Sequence, residues 1–162
     1  MKSIKISLCA FTMVFSSWVC AHSNWVLFHP AQCEAINPVQ SLEMEWRSKD
    51  GLVNRGSRVL WVLCPLPGEV LMNHDEVLDP EKHDQLVILE VGNDSNSTID
   101  VDCVLRSNFK GWQAKSESLA IRSGEWDQVT FVVEDRLLNA ASIACRLPPG
   151  GAVGAGTVIT TW

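Results

Sequence analysis

The chain has 162 residues, with 13 Lys plus Arg against 19 Asp plus Glu, four His, six Cys, seven Trp and no Tyr. A charged fraction of 20% and a hydrophobic fraction of 46% exclude a disordered, collagenous or coiled-coil chain. The formal charge of −6 argues against a nucleic-acid partner, because phosphate binding needs a basic face.

Residues 1–21 read as a secretory signal. Lys2 and Lys5 supply the positive start, Ile6 to Val19 the apolar stretch, and Val19-Cys20-Ala21 a small-residue cleavage site, so the expected mature start is His22. The apolar run is shorter than the roughly 20 residues a membrane span needs, and Val19 stands where lipidation of Cys20 would require a small residue. No later stretch qualifies as a membrane helix, so no span is expected after cleavage. Cleavage removes two lysines and no acid, which takes the formal charge to −8, and leaves Cys33, Cys64, Cys103 and Cys145. The remaining chain, 22–162, is expected to form one domain.

Alternation dominates the chain beyond the signal. Trp25–Phe28 and Leu42–Trp46 are short strand candidates, with the turn Lys49-Asp50-Gly51 after them. The run Val59 to Cys64 is apolar throughout, which predicts a strand covered on both faces with Trp61 in the core; Pro65 and Pro67 end it. Gln85–Val91 is a strand candidate, closed by the turn Gly92-Asn93-Asp94. Over 97–106, Ile99, Val101, Cys103 and Leu105 share a side against Thr98, Asp100, Asp102 and Arg106, the pattern of a half-buried strand. Ser118–Arg122 is a weaker strand candidate, and Ala114–Ile121 or Glu134–Ala141 has enough helical character for a turn or two. Strands over 126–134 (Val129, Phe131, Val133 inward) and 141–147 (Ile143, Cys145, Leu147 inward) come next. Gly150–Gly156 reads as a bend before a last strand, Thr157–Trp162. About eight or nine short strands at this spacing predict an all-β antiparallel sandwich, jelly-roll-like, with little helix. Trp162 at the end would also suit an outer-membrane barrel, but the cysteines, the missing Tyr girdle and the prolines oppose it.

An even cysteine count on an exported chain favours two disulfides, and more than thirty residues separate neighbouring cysteines, unlike a zinc site. Three connectivities are open. Cys103 and Cys145 both lie on the apolar side of their strands, and Cys64 ends the apolar run while Cys33 lies in a polar stretch, which favours Cys33–Cys64 with Cys103–Cys145.

Cys33, Gly51-Leu52-Val53-Asn54, Cys64-Pro65-Leu66, Cys103-Val104-Leu105 and Cys145-Arg146-Leu147-Pro148-Pro149 together give a pattern that resembles a loose group of small, uncharacterised, exported bacterial proteins. That group has an early cysteine, a Gly-x-x-Asn turn, a Cys-Pro strand end, a Cys-x-Leu strand and a late Cys-x-Leu-Pro strand. The resemblance implies an exported β-rich domain with two disulfides and implies no chemistry; nothing carries over to the acidic stretch 69–84.

Chemistry-bearing constellations are sparse. Glu69 to Glu90 holds seven acids with His74 and His83, but no calcium-loop or His-Glu-x-x-His pattern, so it reads first as a solvated acidic loop. Asn93-Asp94-Ser95-Asn96 with Asp100 and Asp102 is a weak calcium candidate, and turn chemistry accounts for those residue types equally well. No Gly-x-Ser-x-Gly is present, and Gly150–Gly156 has no lysine for a phosphate loop. Trp112 and Trp126 each come just after a turn. Their rings either close the ends of the core, the favoured reading, or stand exposed and stack on sugar faces.

The expectation is therefore a secreted or periplasmic β-sandwich without catalysis or cofactor, serving as a surface, matrix or interaction module. One alternative is a carbohydrate-binding module using Trp112 or Trp126, calcium-assisted, with a glycan or another surface protein as partner. The other is a secreted hydrolase with paired carboxylates within 69–102.

Overall fold

The structure, a computed structural model, describes residues 23–47, 51–66, 84–107, 113–133 and 141–161. Residues 1–22, which include the stretch read as a signal, the acidic stretch 69–83 with His74 and His83, Trp112, most of Glu134–Ala141 and Trp162 lie outside them. Among the described residues eleven strands carry the fold: β1 Ser23–Phe28, β2 Glu34–Ala35, β3 Met44–Arg47, β4 Gly51–Asn54, β5 Leu60–Pro65, β6 Asp84–Asn93, β7 Ile99–Ser107, β8 Gln113–Ile121, β9 Trp126–Val133, β10 Ser142–Leu147 and β11 Gly151–Thr161. They form two antiparallel sheets. One runs β3-β4-β11-β6-β9, with β1 also on β11; the other runs β2-β5-β10-β7-β8. The eight strands β4 to β11 thus alternate between sheets except at the β7–β8 step, which is the jelly-roll order.

Residues of period two fill the space between the sheets. Val87, Leu89 and Val91 of β6 and Val129, Phe131 and Val133 of β9 face Val62 of β5, Val101 and Leu105 of β7, and Ile143 and Leu147 of β10, in one buried cluster. Burying a side chain of this kind contributes about 1.5–3 kcal/mol. The register of β11 on β6 slips between Val153 and Gly156. At that bulge the opposite edge of β11 changes partner, from β4 at Ala152 and Val153 to β1 from Gly156 onward. Phe28 sits over Gly156, where a Cβ would stand 1.8 Å from the ring; only glycine lets β1 dock.

Both disulfides of the favoured connectivity are present, Cys33–Cys64 and Cys103–Cys145. They bridge adjacent strands of one sheet: Cys103 and Cys145 are registered partners on β7 and β10, and Cys33 immediately precedes β2, which pairs with β5. At the sheet edges, β8 and β9 are joined by Lys115 Nζ donating to the Val132 carbonyl, a charge that blunts an open edge.

Several expectations are corrected. The run 59–64 is covered on one face only: Leu60, Val62 and Cys64 are buried, while Trp61 is 40% exposed, because a two-layer sandwich turns one side of each sheet to solvent. Ala114–Ile121 is strand β8, not helix; nine registered partners on β7 outweigh the nucleation cost of an isolated helical turn. The segment after Gly150 is already strand, and Gly51–Asn54 is strand β4 rather than a turn. Among the described residues two 3-10 segments, Pro30–Gln32 and Pro38–Glu43, are encoded by His29-Pro30 and Asn37-Pro38: each has a side-chain N-cap acceptor with proline next, at the first helical position.

Candidate functional site

One end of the sandwich is tied by two asparagines that play the same part. Asn54 closes β4 and Asn93 closes β6, both buried at 0% and 2% exposure. Asn54 Nδ2 donates to the carbonyls of Arg58 and Leu147 at 2.8 and 2.9 Å, and its Oδ1 accepts from Gly56 N–H. Asn93 Nδ2 donates to the carbonyls of Ser97 and Ile121 at 2.6 and 2.8 Å, and its Oδ1 accepts from Ser95 N–H and Oγ. Each amide shapes the loop leaving its strand and reaches a carbonyl at the end of a strand in the other sheet.

That turn chemistry decides where the weak calcium candidates lie. Asp94 falls beside Arg55 Nη1 at 2.6 Å and Arg47 Nη1 at 3.2 Å, next to Glu45, which Arg55 Nε also holds at 2.6 Å. Asp100 and Asp102 have crossed to the solvent face of the other sheet, on β7. The turn 93–97 separates the acids instead of gathering them, and among the described residues no three His, Cys, Asp or Glu side chains gather as for a metal.

Asp102 accepts from Ser118 Oγ at 2.5 Å and pairs with Arg146 Nη1 at 3.0 Å. The Ser118 hydrogen bond first, then Arg146, hold its carboxyl below the usual range, the wrong direction for a general acid. A depressed carboxylate contributes stability above its unfolded pKa and loses it as pH falls through the folded value. Asp102→Asn is therefore expected to cost under about 1 kcal/mol at neutral pH. In urea titrations across the acid range, that difference from wild type should vanish; a pH-independent difference would contradict the pairing.

The aromatic site lies on the solvent face of the six-stranded sheet. Trp126 opens β9, and its registered partner on β6 is Gly92. A Cβ at Gly92 would stand 2.5 Å from indole Cε2, and one at Gly154, on β11, 3.0 Å from Cζ3. The ring thus lies across three strands on a floor of glycine backbone, and the residue is 41% exposed. It does not close the core, contrary to the favoured expectation; an outer register and two glycines lay it flat. The Glu90 carboxylate reaches the same spot, with Oε2 also 3.0 Å from the point above Gly154, so carboxylate and ring edge are neighbours. Gln128 stands opposite Glu90 in the ladder. A flat π-face beside a hydrogen-bond acceptor is a surface that stacks an apolar ring face and accepts from a hydroxyl.

Trp46, a half-exposed strand residue, stacks on His29 with ring centroids 5.9 Å apart. It borders a hollow of about 310 Å³ between the sheets, lined by Ala35, Met44 and Leu52 with Glu34, Ser41 and Trp46, the small end of ligand-pocket sizes. Nothing in the sequence marks Gly92 and Gly154 as parts of a site, because a glycine floor is visible only once three strands are aligned.

The fold and this face define a disulfide-bridged jelly-roll sandwich with an aromatic platform. No protein-family model and no curated protein matches the sequence. Among solved structures the chain is similar to a family 35 carbohydrate-binding module from Clostridium thermocellum (7% identity, 83% of this chain and 96% of that one, TM-score 0.47). It is similar also to a family 35 module from Cellvibrio japonicus (10%, 83% and 91%, TM-score 0.45). Among the described residues no helix is long and apolar enough to cross a membrane.

Proposed function

We propose that the protein is an exported carbohydrate-binding module whose ligand stacks on Trp126. The likeness to solved modules, below a TM-score of 0.5, carries none of this; the carrying observation is the indole laid on Gly92 and Gly154 with 41% of the residue open. A ring already fixed in its bound orientation loses little side-chain entropy on binding. Glu90 and Gln128 supply polar partners for hydroxyls at its edge. Two disulfides suit an oxidising compartment, in keeping with the signal read at residues 1–21. Calcium has no part in this reading, since Asp94 and Asp102 are taken up by arginines.

Intrinsic tryptophan fluorescence, titrated with neutral oligosaccharides, tests the proposal. At least one glycan should shift the emission, and Trp126→Ala should weaken its binding at this face by at least about tenfold, or 1.4 kcal/mol. Gly92→Val, which pushes the ring off its floor, should do the same while keeping the indole. Undiminished affinity and stoichiometry in Trp126→Ala, in a chain with an unchanged unfolding midpoint, would refute the site.

A further inference from the structure

We propose a second glycan-binding surface on the outer face of the five-stranded sheet, built on Trp61 and the Arg146–Asp102–Ser118 row, which makes the protein bivalent for neutral polysaccharide. This rests on the glycan reading of the Trp126 face and extends it to the other side of the molecule.

The row is fixed by register. Trp61 on β5 stands opposite Arg146 on β10, Arg146 opposite Asp102 on β7, and Asp102 opposite Ser118 on β8. Four strands at about 4.8 Å spacing make the row about 14 Å across. Its two ends differ in chemistry. Trp61 is 40% exposed on a strand whose other face is buried, and Ile36 lies beside it, its N–H donating to the Trp61 carbonyl. The other end is a hydrogen-bonding rail: Arg146 Nη1 on Asp102 Oδ2 at 3.0 Å and Ser118 Oγ on Oδ1 at 2.5 Å. These contacts hold the three side chains in place. A guanidinium has five N–H donors and the ion pair takes one; each carboxylate oxygen keeps a further lone pair. The rail therefore offers donors and acceptors together, which is what vicinal hydroxyls need.

Charge selects the occupant. Arg146 and Asp102 cancel, so a polyanion gains no net attraction from the row, whereas an uncharged sugar chain meets both a stacking ring and paired donors and acceptors. Trp61 and Trp126 belong to the outer faces of different sheets, so they point to opposite sides of the sandwich. One short chain cannot reach both; two chains can each take one face. A long polysaccharide would then be cross-linked, with the avidity of linked sites.

Calorimetry with cellohexaose, xylohexaose and mannohexaose gives the stoichiometry, and turbidity of the matching soluble polymer reports cross-linking. The expected result is two hexasaccharides per chain for at least one probe. Trp61→Ala and Trp126→Ala should each leave one site, the double variant none, and neither single variant should cross-link polymer. Arg146→Gln, which keeps Trp61, should weaken the second site by at least about fivefold. One site per chain, lost in Trp126→Ala and untouched in Trp61→Ala, would overturn the second surface and keep the first. One site lost only in Trp61→Ala would overturn bivalency and the Trp126 reading together. Binding of polygalacturonate in preference to every neutral probe would overturn the ligand class, and no binding at all would overturn both surfaces.

Discussion

Asn93→Asp is expected to lower the unfolding free energy by about 3–5 kcal/mol. The substitution keeps the size of the side chain and removes its two donors to the carbonyls of Ser97 and Ile121, which it reaches at 2.6 and 2.8 Å; the buried Ile121 carbonyl is stranded, while that of exposed Ser97 keeps Ser95 Oγ as a donor. A stranded buried carbonyl costs about 1–3 kcal/mol, and the new carboxylate, almost fully buried, adds its own desolvation cost. Burial beside carbonyl oxygens raises the folded-state pKa of such an acid above its unfolded value. The variant therefore binds protons more tightly when folded, and its deficit should shrink as pH falls through the carboxylate range. Asn93→Ala loses the same bonds and should show no such recovery. Asn54→Ala should cost about as much, for the same geometry at β4. The two sites share Gly150, whose N–H donates to the Asn54 carbonyl while its carbonyl accepts from Asp94 N–H. Their losses should consequently fail to add in a double-mutant cycle. Urea unfolding at pH 7 and pH 4 reads all of this. A loss under about 1 kcal/mol for Asn93→Asp would show that these amides do not hold the sheets together.

The inner face of the sandwich is legible in the sequence because its alternation is local. Ile99, Val101, Cys103 and Leu105 declare a side within seven residues, and Ile143, Cys145 and Leu147 do so too; the pairing of the two cysteines follows from that shared side. The 59–64 run declares a strand but not its outer face. When both faces are apolar, period two carries no sign, and nothing local says that Trp61 faces outward while Leu60, Val62 and Cys64 fill the interior. β8 is ambiguous for the opposite reason. As an edge strand its inner register reads Ile121, Leu119, Glu117, Lys115, and the last two are exposed, so the apolar pattern fades before it can be recognised.

The candidate sites are less legible because they are assembled across strands. Trp126 is marked by its turn, but its floor comes from β6 and β11, and nothing near residue 126 announces Gly92 or Gly154. The Asn93 staple reads only as turn chemistry, since its second carbonyl, Ile121, arrives from the other sheet. Asp102 reads as a calcium candidate because its partners Arg146 and Ser118 are distant in sequence and adjacent only in register. Side-chain period is written in the chain; strand order is written in the loop crossings, which a single sequence does not display.

Removing Cys103–Cys145 and removing Cys33–Cys64 should cost similar free energies and produce different unfolding behaviour. The bridges span 42 and 31 residues, for which the chain-entropy model gives about 4 kcal/mol each. Together that rivals the whole stability of a typical domain, about 5–15 kcal/mol, so full reduction is expected to unfold the protein or leave it marginal. The local contexts differ. Cys33 adjoins a two-residue edge strand, β2, and keeps slight exposure, whereas Cys103 and Cys145 are wholly buried between β7 and β10, where register runs unbroken over five pairs. A thiolate reaches a buried sulfur only when the structure opens. Dithiothreitol should therefore cut Cys33–Cys64 first, by local fraying of the segment around β2, and cut Cys103–Cys145 only at the rate of global unfolding. Cys33→Ala/Cys64→Ala should lose hydrogen-exchange protection first across 30–47. Cys103→Ala/Cys145→Ala should lose it evenly across both sheets, with a lower urea midpoint. Mass spectrometry after timed alkylation orders the two reductions; simultaneous loss of both bridges, or reduction of Cys103–Cys145 first, would contradict the assignment of one bridge to the edge and the other to the centre of the sheet.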